Sequence, residues 1–488
     1  MQSFGDILSA IIEHKDINKK ALCERLGIDR TLLYRYMANK AVMPEETLDK
    51  LTDELMLMPS ENEKLLDAYN ASMIGLDRYQ CRKIIDSMFR TLDKGDEIPN
   101  DILVEEGYYY PQAGSTFAGQ AQAINGTANI QAVVKYIFEA TQPKDAVYIN
   151  AQPNNELITI NIYDLLRSKR DVSIYHIFRL IQNPTVDIPA PYAMNLQHIK
   201  GVLRNTFPLG GRNYFPSYYY FYFLDTLPSH SIIHPNVIVA SNHLLFFSSD
   251  NEKAILLSEP NIVKIYQEEM QRMLKITSPF FQILDLTKVS AGAYFSKICH
   301  VGELSISPEP ISLIARLSLL RENRRIGLES LKDAAIDKFI ARRHEAIIKG
   351  VPIRICFTLE GLDHLVRTGL ISDMGIDLME PMNKVQIKKY LEIIYGYSAK
   401  FPNVSINLIH DDSLNFFMRN YTRVFSNSMI SFTSSECNYN SAYTIHEKSI
   451  VQSFSDYFFH VLPANISMES KENTMELLRN RIDQITTE

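Results

Sequence analysis

The chain has 488 residues, 46% of them hydrophobic and 22% charged, with 50 Lys+Arg against 57 Asp+Glu for a formal net charge of −7. At roughly 100–200 residues per domain the length suggests two to four domains, and the composition excludes a disordered, collagen-like or coiled-coil chain. The acidic balance excludes a polycation that coats nucleic acid or membrane indiscriminately, so any nucleic-acid contact has to come from a local basic surface.

Residues 1–98 read as helical throughout. Apolar residues recur at three and four (Ile7, Leu8, Ile11, Ile12; Leu22, Leu26; Leu32, Leu33, Tyr36). Pro44 and Pro59 sit at expected helix starts, Ser60 and Glu63 have capping-box spacing, and Gly27, Gly75 and Gly95 mark helix ends. The last of these helices is expected at about Leu76–Leu92. Residues 99–130 lose periodicity and are rich in Gly, Ala, Gln and Asn, which marks them as a linker. Helical pattern resumes at Ile130–Ala140.

From about residue 144 the period becomes two. Strands are expected at Ala146–Asn150, Val172–Phe178, Val237–Ser248, Ile353–Leu359, Val404–Ile409, Val424–Thr433 and Ala442–Ile445. Helices are expected between them at Asn154–Ser168, Asn261–Leu274, Pro310–Gly350, Lys384–Lys400 and Ser449–Val461. Alternating strands and helices imply an α/β layer structure. The fold class is therefore multidomain: an all-α helical N-terminal domain (1–98), a linker (99–130), an α/β lobe (131–280), a helical connector (281–350) and a second α/β lobe (351–488). The two lobes read as a duplication. DVSIYHIF at 171–178 matches NVSINLIH at 403–410, VASNHLLFFSSD at 239–250 matches VFSNSMISFTSSE at 424–436, and DAVYINAQ at 145–152 pairs with PIRICFTL at 352–359 as the start of each unit.

The strongest motif is DINKKALCERLGIDRTLLYRYMANKAVM at 16–43. Lys19–Leu26 reads as a short helix with small Ala21 facing inward, Gly27 as the turn, Ile28 as a plug, and Asp29 as the cap of a helix over Arg30–Asn39. This segment resembles the phage-repressor-like, XRE-type helix-turn-helix family of transcriptional regulators over about residues 4–58. It departs from that pattern where Asn18 and Lys19 replace the usual Gln, and where Met37-Ala38-Asn39 replaces Glu-Arg-Gly. Asn39 suits the left-handed conformation there. The resemblance implies a recognition helix in the major groove of double-stranded DNA. Residues 1–40 carry seven Lys/Arg against five Asp/Glu, a local excess of two positive charges in an acidic chain. Arg30, Thr31 and Tyr34 are expected near bases, and Lys19, Arg35, Asn39 and Lys40 near phosphates.

The larger C-terminal part offers weaker signals. The strand–helix duplication is loosely similar to the two-lobed phospholipase D-like fold, which takes His-x-Lys with a downstream Asp from each copy. His446-Glu447-Lys448 and His198-Ile199-Lys200 have that spacing, but Ser453 and Asn205 stand where the Asp should be. His230, His234 and His243 cluster without a carboxylate or Cys to complete a metal set. Leu209-Gly210-Gly211-Arg212 reads as a turn, and no GxSxG, Walker A or HExxH motif occurs. The aromatic run at 217–227 reads as a strand covered on both faces or, alternatively, as the wall of a ligand pocket. Arg324-Arg325 and Arg342-Arg343 lie 18 residues apart, about five helical turns, so they share a face expected to be solvated or to touch a subunit or an anion.

Five cysteines at 23, 81, 299, 356 and 437, with no CxxC pair, read as free thiols in a reducing compartment. The N-terminus lacks a basic n-region ahead of an apolar stretch, and no run of 18 apolar residues occurs, so no signal peptide and no membrane span are expected. Taken together, the expectation is a cytoplasmic, sequence-specific DNA-binding transcriptional regulator. It acts as a homodimer, with no cofactor, metal or catalytic site, and its C-terminal region senses a small-molecule or peptide ligand or mediates oligomerisation. The alternatives are a DNA-targeted phosphodiesterase or nuclease of phospholipase D-like fold, and a defence or toxin-antitoxin partner protein.

Overall fold

Ser3, Asn18 and Asp29 each open a helix by accepting from its first free N–H groups: Ser3 from Asp6, Asn18 from Lys20 and Ala21, Asp29 from Leu32. The helices are α1 (Phe4–His14), α2 (Lys19–Leu26) and α3 (Arg30–Met37), followed by α4 (Glu45–Leu55), α5 (Pro59–Ile74) and α6 (Leu76–Leu92). The computed structural model describes residues 2–92, 121–168, 171–182, 190–207, 213–221, 235–285, 298–323, 333–371, 380–410, 414–433 and 441–485. Gly95, the linker up to residue 120, Leu209–Arg212, His230, His234, the aromatic run beyond 221, Arg324-Arg325 and Cys437 lie outside the described residues. The chain divides into two compact units, residues 1–84 with 184–193 and residues 85–183 with 194–488.

In the first unit, the apolar stripes of α1–α5 close over Leu8, Leu22, Leu33, Leu51 and Leu65, all fully buried. Gly27 ends α2 at φ 69°, a conformation in which a Cβ would be strained. Two local expectations change. Ala21 is exposed, and the small buried residue is Cys23, four positions before Gly27. With α2 starting at Lys19, as the sequence suggests, Ala21 is only its third residue. Ala21 therefore falls in the capped first turn, while the buried stripe runs through Leu22, Cys23 and Leu26. Likewise Pro59 sets the start of α5, so the carboxylate that closes its first turn is Glu61, accepting from Met58 N–H at 3.0 Å, rather than Glu63.

The second unit holds two mixed sheets. The first is built from β1 (Ala121–Asn125), α7 (Thr127–Ala140), β2 (Ala146–Asn150), α8 (Glu156–Arg167), β3 (Ser173–Ile181), α9 (Pro191–Thr206), β4 (Tyr214–Phe221), β5 (Asn236–Ala240), β6 (His243–Phe247), β7 (Lys253–Leu257), α10 (Pro260–Ile276) and β8 (Ser278–Pro279). The second comprises β9 (Gln282–Asp285), β10 (Glu303–Ile306), α11 (Leu313–Asn323), α12 (Asp333–Ile348), β11 (Ile353–Phe357), α13 (Leu359–Thr368), α14 (Lys384–Lys400), β12 (Val404–Leu408), α15 (Asn415–Arg419), β13 (Thr422–Phe425), β14 (Met429–Thr433), β15 (Ser441–Ile445), α16 (Lys448–His460), α17 (Leu462–Asn465) and α18 (Lys471–Gln484).

The strand orders are β1-β7-β6-β5-β2-β3-β4-β8 and β12-β11-β10-β13-β14-β15-β9. Read from β1 and from β9, seven strands correspond one to one. In each lobe the three parallel strands (β2-β3-β4, β10-β11-β12) stand beside antiparallel ones. The duplication is thus a property of the topology. Packing repeats as well. A Cβ at Gly201 would fall on the Pro153 carbonyl oxygen, and one at Gly361 on that of Pro308, so each lobe seats a helical glycine on the loop after its first central strand.

Sequence-derived boundaries shift in four places. Residues 121–130 belong to the first lobe, because β1 pairs with β7. The span 281–350 is no mere helical connector, since β9 and β10 lie inside the second sheet and the helical stretch is divided into α11 and α12. Val237–Ser248 and Val424–Thr433 are hairpins rather than single strands. They reverse at the shared Ser-Asn, with positive φ at Ser241 (44°) and Asn427 (55°). The hairpin match between the lobes holds strand for strand, with a turn of two residues in the first lobe and three in the second. DVSIYHIF, however, forms β3, whose counterpart is β11 and not the β12 of NVSINLIH. Central parallel strands share the same β-branched composition, so a one-strand slip goes unmarked in sequence.

Arg343 overturns the expectation of a solvated basic face. Its side chain is 1% exposed, with Nη2 2.8 Å from the buried Glu303 carboxylate and Nη1 donating to the Val301 and Ile298 carbonyls at 2.5 and 3.1 Å. It fastens α12 to β10 inside the second lobe.

Candidate nucleic-acid interface

Helix α3 is anchored by Leu33 and Tyr36, 0% and 3% exposed, and by the Asp29 cap at 2.8 Å. That orientation leaves Arg30, Thr31, Tyr34 and Arg35 on the exposed face. Tyr34 is 43% exposed, with Lys19 Nζ 5.5 Å and Arg30 Cζ 5.8 Å from its ring centroid. Two cations held against one ring keep their charge while losing rotamer freedom, which favours a defined positive edge.

Two further basic residues of this unit are committed internally. Lys15 pairs with Glu61 at 2.9 Å and donates to the Leu55 and Met56 carbonyls, and Arg25 pairs with Glu54 at 3.0 Å. Lys19, Arg30, Arg35 and Lys40 make no ion pair among the described residues. Within residues 1–40 the cations without an ion pair therefore gather at α3 and its flanks.

Asn39 adopts φ 53°, as its left-handed expectation requires, but its side chain is used within the fold. Its Oδ1 accepts from Gly5 N–H at 2.8 Å and its Nδ2 donates to Ser3 Oγ at 2.7 Å. This ties the start of α1 to the end of α3 and commits the Asn39 amide within the fold. The partners lie 34 and 36 residues away, and nothing in the local sequence marks them. Asn18, at the place of the usual Gln, is likewise spent on capping α2.

The histidines of the α/β unit take separate positions. His198 lies in α9, and burial lowers its pKa to about 4, with Arg179 and His176 adding to the shift. His446 lies just before α16, with Nε2 3.0 Å from Thr444 Oγ1. His243 packs on the Tyr136 ring, and burial lowers its pKa. No group of three or more potential metal ligands occurs among the described residues, and no helix among them is long and apolar enough to cross a membrane.

Residues 8–61 match the family model of the Cro/C1-type HTH DNA-binding domain, a segment that contains α2, α3 and α4 entire. No curated protein matches the chain. Among solved structures, the chain is similar to TrmBL2, an archaeal chromatin protein with a novel mode of DNA binding. That match has 11% identity and a TM-score of 0.21, over 57% of this chain and all of that one. A phosphatidylserine synthase from Haemophilus influenzae Rd KW20 matches at 8% identity and a TM-score of 0.25, over 75% of this chain and 93% of that one. At those scores neither likeness carries over to the arrangement of the whole molecule.

Proposed function

We propose that the protein is a sequence-specific transcriptional regulator that reads double-stranded DNA with α3. The Cro/C1-type DNA-binding domain at residues 8–61 is the observation that carries this reading, because the face of α3 left outside the core holds Arg30, Thr31, Tyr34 and Arg35. Arg30, Thr31 and Tyr34 are assigned to base edges at the start of the recognition helix, and Lys19, Arg35 and Lys40 to phosphates. Two copies act as a homodimer on a repeated half-site. The α/β region serves as a ligand-sensing and assembly part in the cytoplasm, and works by binding rather than by catalysis. Ligand control requires that the ligand favour one spacing of the two reading heads over another, since only differential affinity shifts such an equilibrium.

Fluorescence anisotropy with DNA from upstream of the protein's own coding sequence tests this. Three phosphate contacts per head make six per dimer, so affinity should fall by about a thousandfold between 50 and 200 mM salt. Absence of any salt-dependent complex contradicts the proposal.

A further inference from the structure

The first lobe contains a cavity of about 510 Å³ at the carboxyl ends of β2 and β3. From β2 the chain proceeds to β3 and β4 on one side and returns to β5 on the other. Such a switch point leaves a crevice between the loops of an α/β sheet. Two helices, α7 and α8, begin at this cavity, and neither has a side-chain cap on its first turn. Their free N–H groups, with the positive ends of the helix dipoles, supply donors for an anion. Arg179, from β3, lines the same space. The one carboxylate in the lining, Glu156, is exposed at the rim.

The wall also carries acceptors. Gln152 Oε1 is buried and has no hydrogen-bond partner. Asn236 is 7% exposed and donates Nδ2 to the Ser248 carbonyl at 3.1 Å, while no hydrogen bond reaches its Oδ1 among the described residues. A buried acceptor left unmatched is costly, so the Gln152 oxygen calls for a ligand that brings an N–H or O–H donor, and the Asn236 oxygen can accept a second one. The cavity therefore asks for an anion at one end and for hydroxyl or amine donors at the other. Its size is in the range of small-molecule sites.

We propose that this cavity binds a phosphorylated, donor-bearing small molecule of the nucleoside monophosphate class. Phosphate would sit on the α7 and α8 N-termini and Arg179, with base or ribose donors on Gln152 and Asn236. This rests on the reading of the α/β region as a ligand sensor and names the ligand class for it.

Isothermal titration of the full chain with AMP, GMP, CMP and UMP, one at a time, tests the assignment. At least one should bind with Kd below about 1 mM. Its parent nucleoside and inorganic phosphate should each bind at least about tenfold more weakly. Gln131→Glu places a carboxylate beside the anion end on a half-exposed helical position. It should weaken binding by about tenfold or more without lowering the melting temperature, because an acid near a helix N-terminus does not cost stability. Arg179→Gln should weaken binding similarly. Binding by none of the four nucleotides, equal binding of nucleoside and nucleotide, or unchanged affinity in both variants would each overturn the assignment. DNA binding is measured in parallel without nucleotide, so failure of the reading head registers separately from failure of the cavity.

Discussion

The two lobes share a seven-strand topology but differ at the place where the first lobe is hollow. Strand pairing fixes the correspondence: Asn150 pairs with Val237 in the first lobe, and Ile306 with Thr422 in the second, so Asn236 and Tyr421 are equivalent. In the first lobe a short carboxamide stands there and the cavity remains open. In the second lobe the Tyr421 ring is 5% exposed within the core, and its OH donates to the buried Glu309 carboxylate at 3.1 Å. His364 Nδ1 lies 3.3 Å from the other oxygen of the same carboxylate. One copy of the repeat has spent this position on packing, and the other has left it for a ligand. A duplicated fold can divide labour in this way because each lobe buries a sheet of its own.

The largest effect that separates the lobes is expected at Arg343. Arg343→Ala leaves the buried Glu303 carboxylate without its partner, a change worth about 3–5 kcal/mol. Hydrogen exchange should show protection lost in β10–β13 and kept in β2–β5. Equal loss in both lobes would mean that they do not unfold separately. Acid should act in the opposite direction. His176 is fully buried in the first lobe, with Nδ1 at 2.9 Å from Tyr214 Oη and Nε2 at 2.9 Å from the Ala151 carbonyl, and burial lowers its pKa from 6.5 to about 4. The unfolded state then binds the extra proton between those values. The stability from keeping His176 neutral is present above pH 6.5 and is lost as pH falls towards 4. At pH 5 this amounts to roughly 2 kcal/mol, read by denaturant unfolding at pH 5 and 7.5. A His176→Asn variant should reduce that difference by its own share and leave the share of His198, whose pKa burial also lowers to about 4.

The smallest of these effects is expected at Tyr421. Tyr421→Phe keeps the ring and removes one hydrogen bond to Glu309, costing about 1–2 kcal/mol in the second lobe and nothing in nucleotide affinity. A change in nucleotide binding by this variant would show that the two equivalent positions are not independent.

How far the sequence foretold these features depends on the range of the interactions. Gly27 and Asp29 act on their own neighbours, so the helix-turn-helix could be read residue by residue. The Ser-Asn turns of the two hairpins are local in the same sense, and there the one block of the repeat matches strand for strand. β10 could not be found that way. Its four residues are all buried, yet Glu303 reads as surface until Arg343 reaches it from forty positions away. Asn39 reads as a residue poised for phosphate until Gly5 and Ser3 claim its amide. The cavity is less legible still, because its walls come from the starts of two helices, the end of one strand and the beginning of another. In each case the missing information is a partner distant in the chain.

The central claim is that the exposed face of α3 reads DNA, and the most direct measurement is anisotropy on the protein's own upstream DNA with wild type and Arg30→Ala side by side. The account predicts that Arg30→Ala loses about 1–3 kcal/mol, with relaxed discrimination between sites and an unaltered melting temperature. Lys40→Ala should instead weaken all sequences alike and lower the salt slope by about one per head. Full-strength, sequence-selective binding by Arg30→Ala would contradict it.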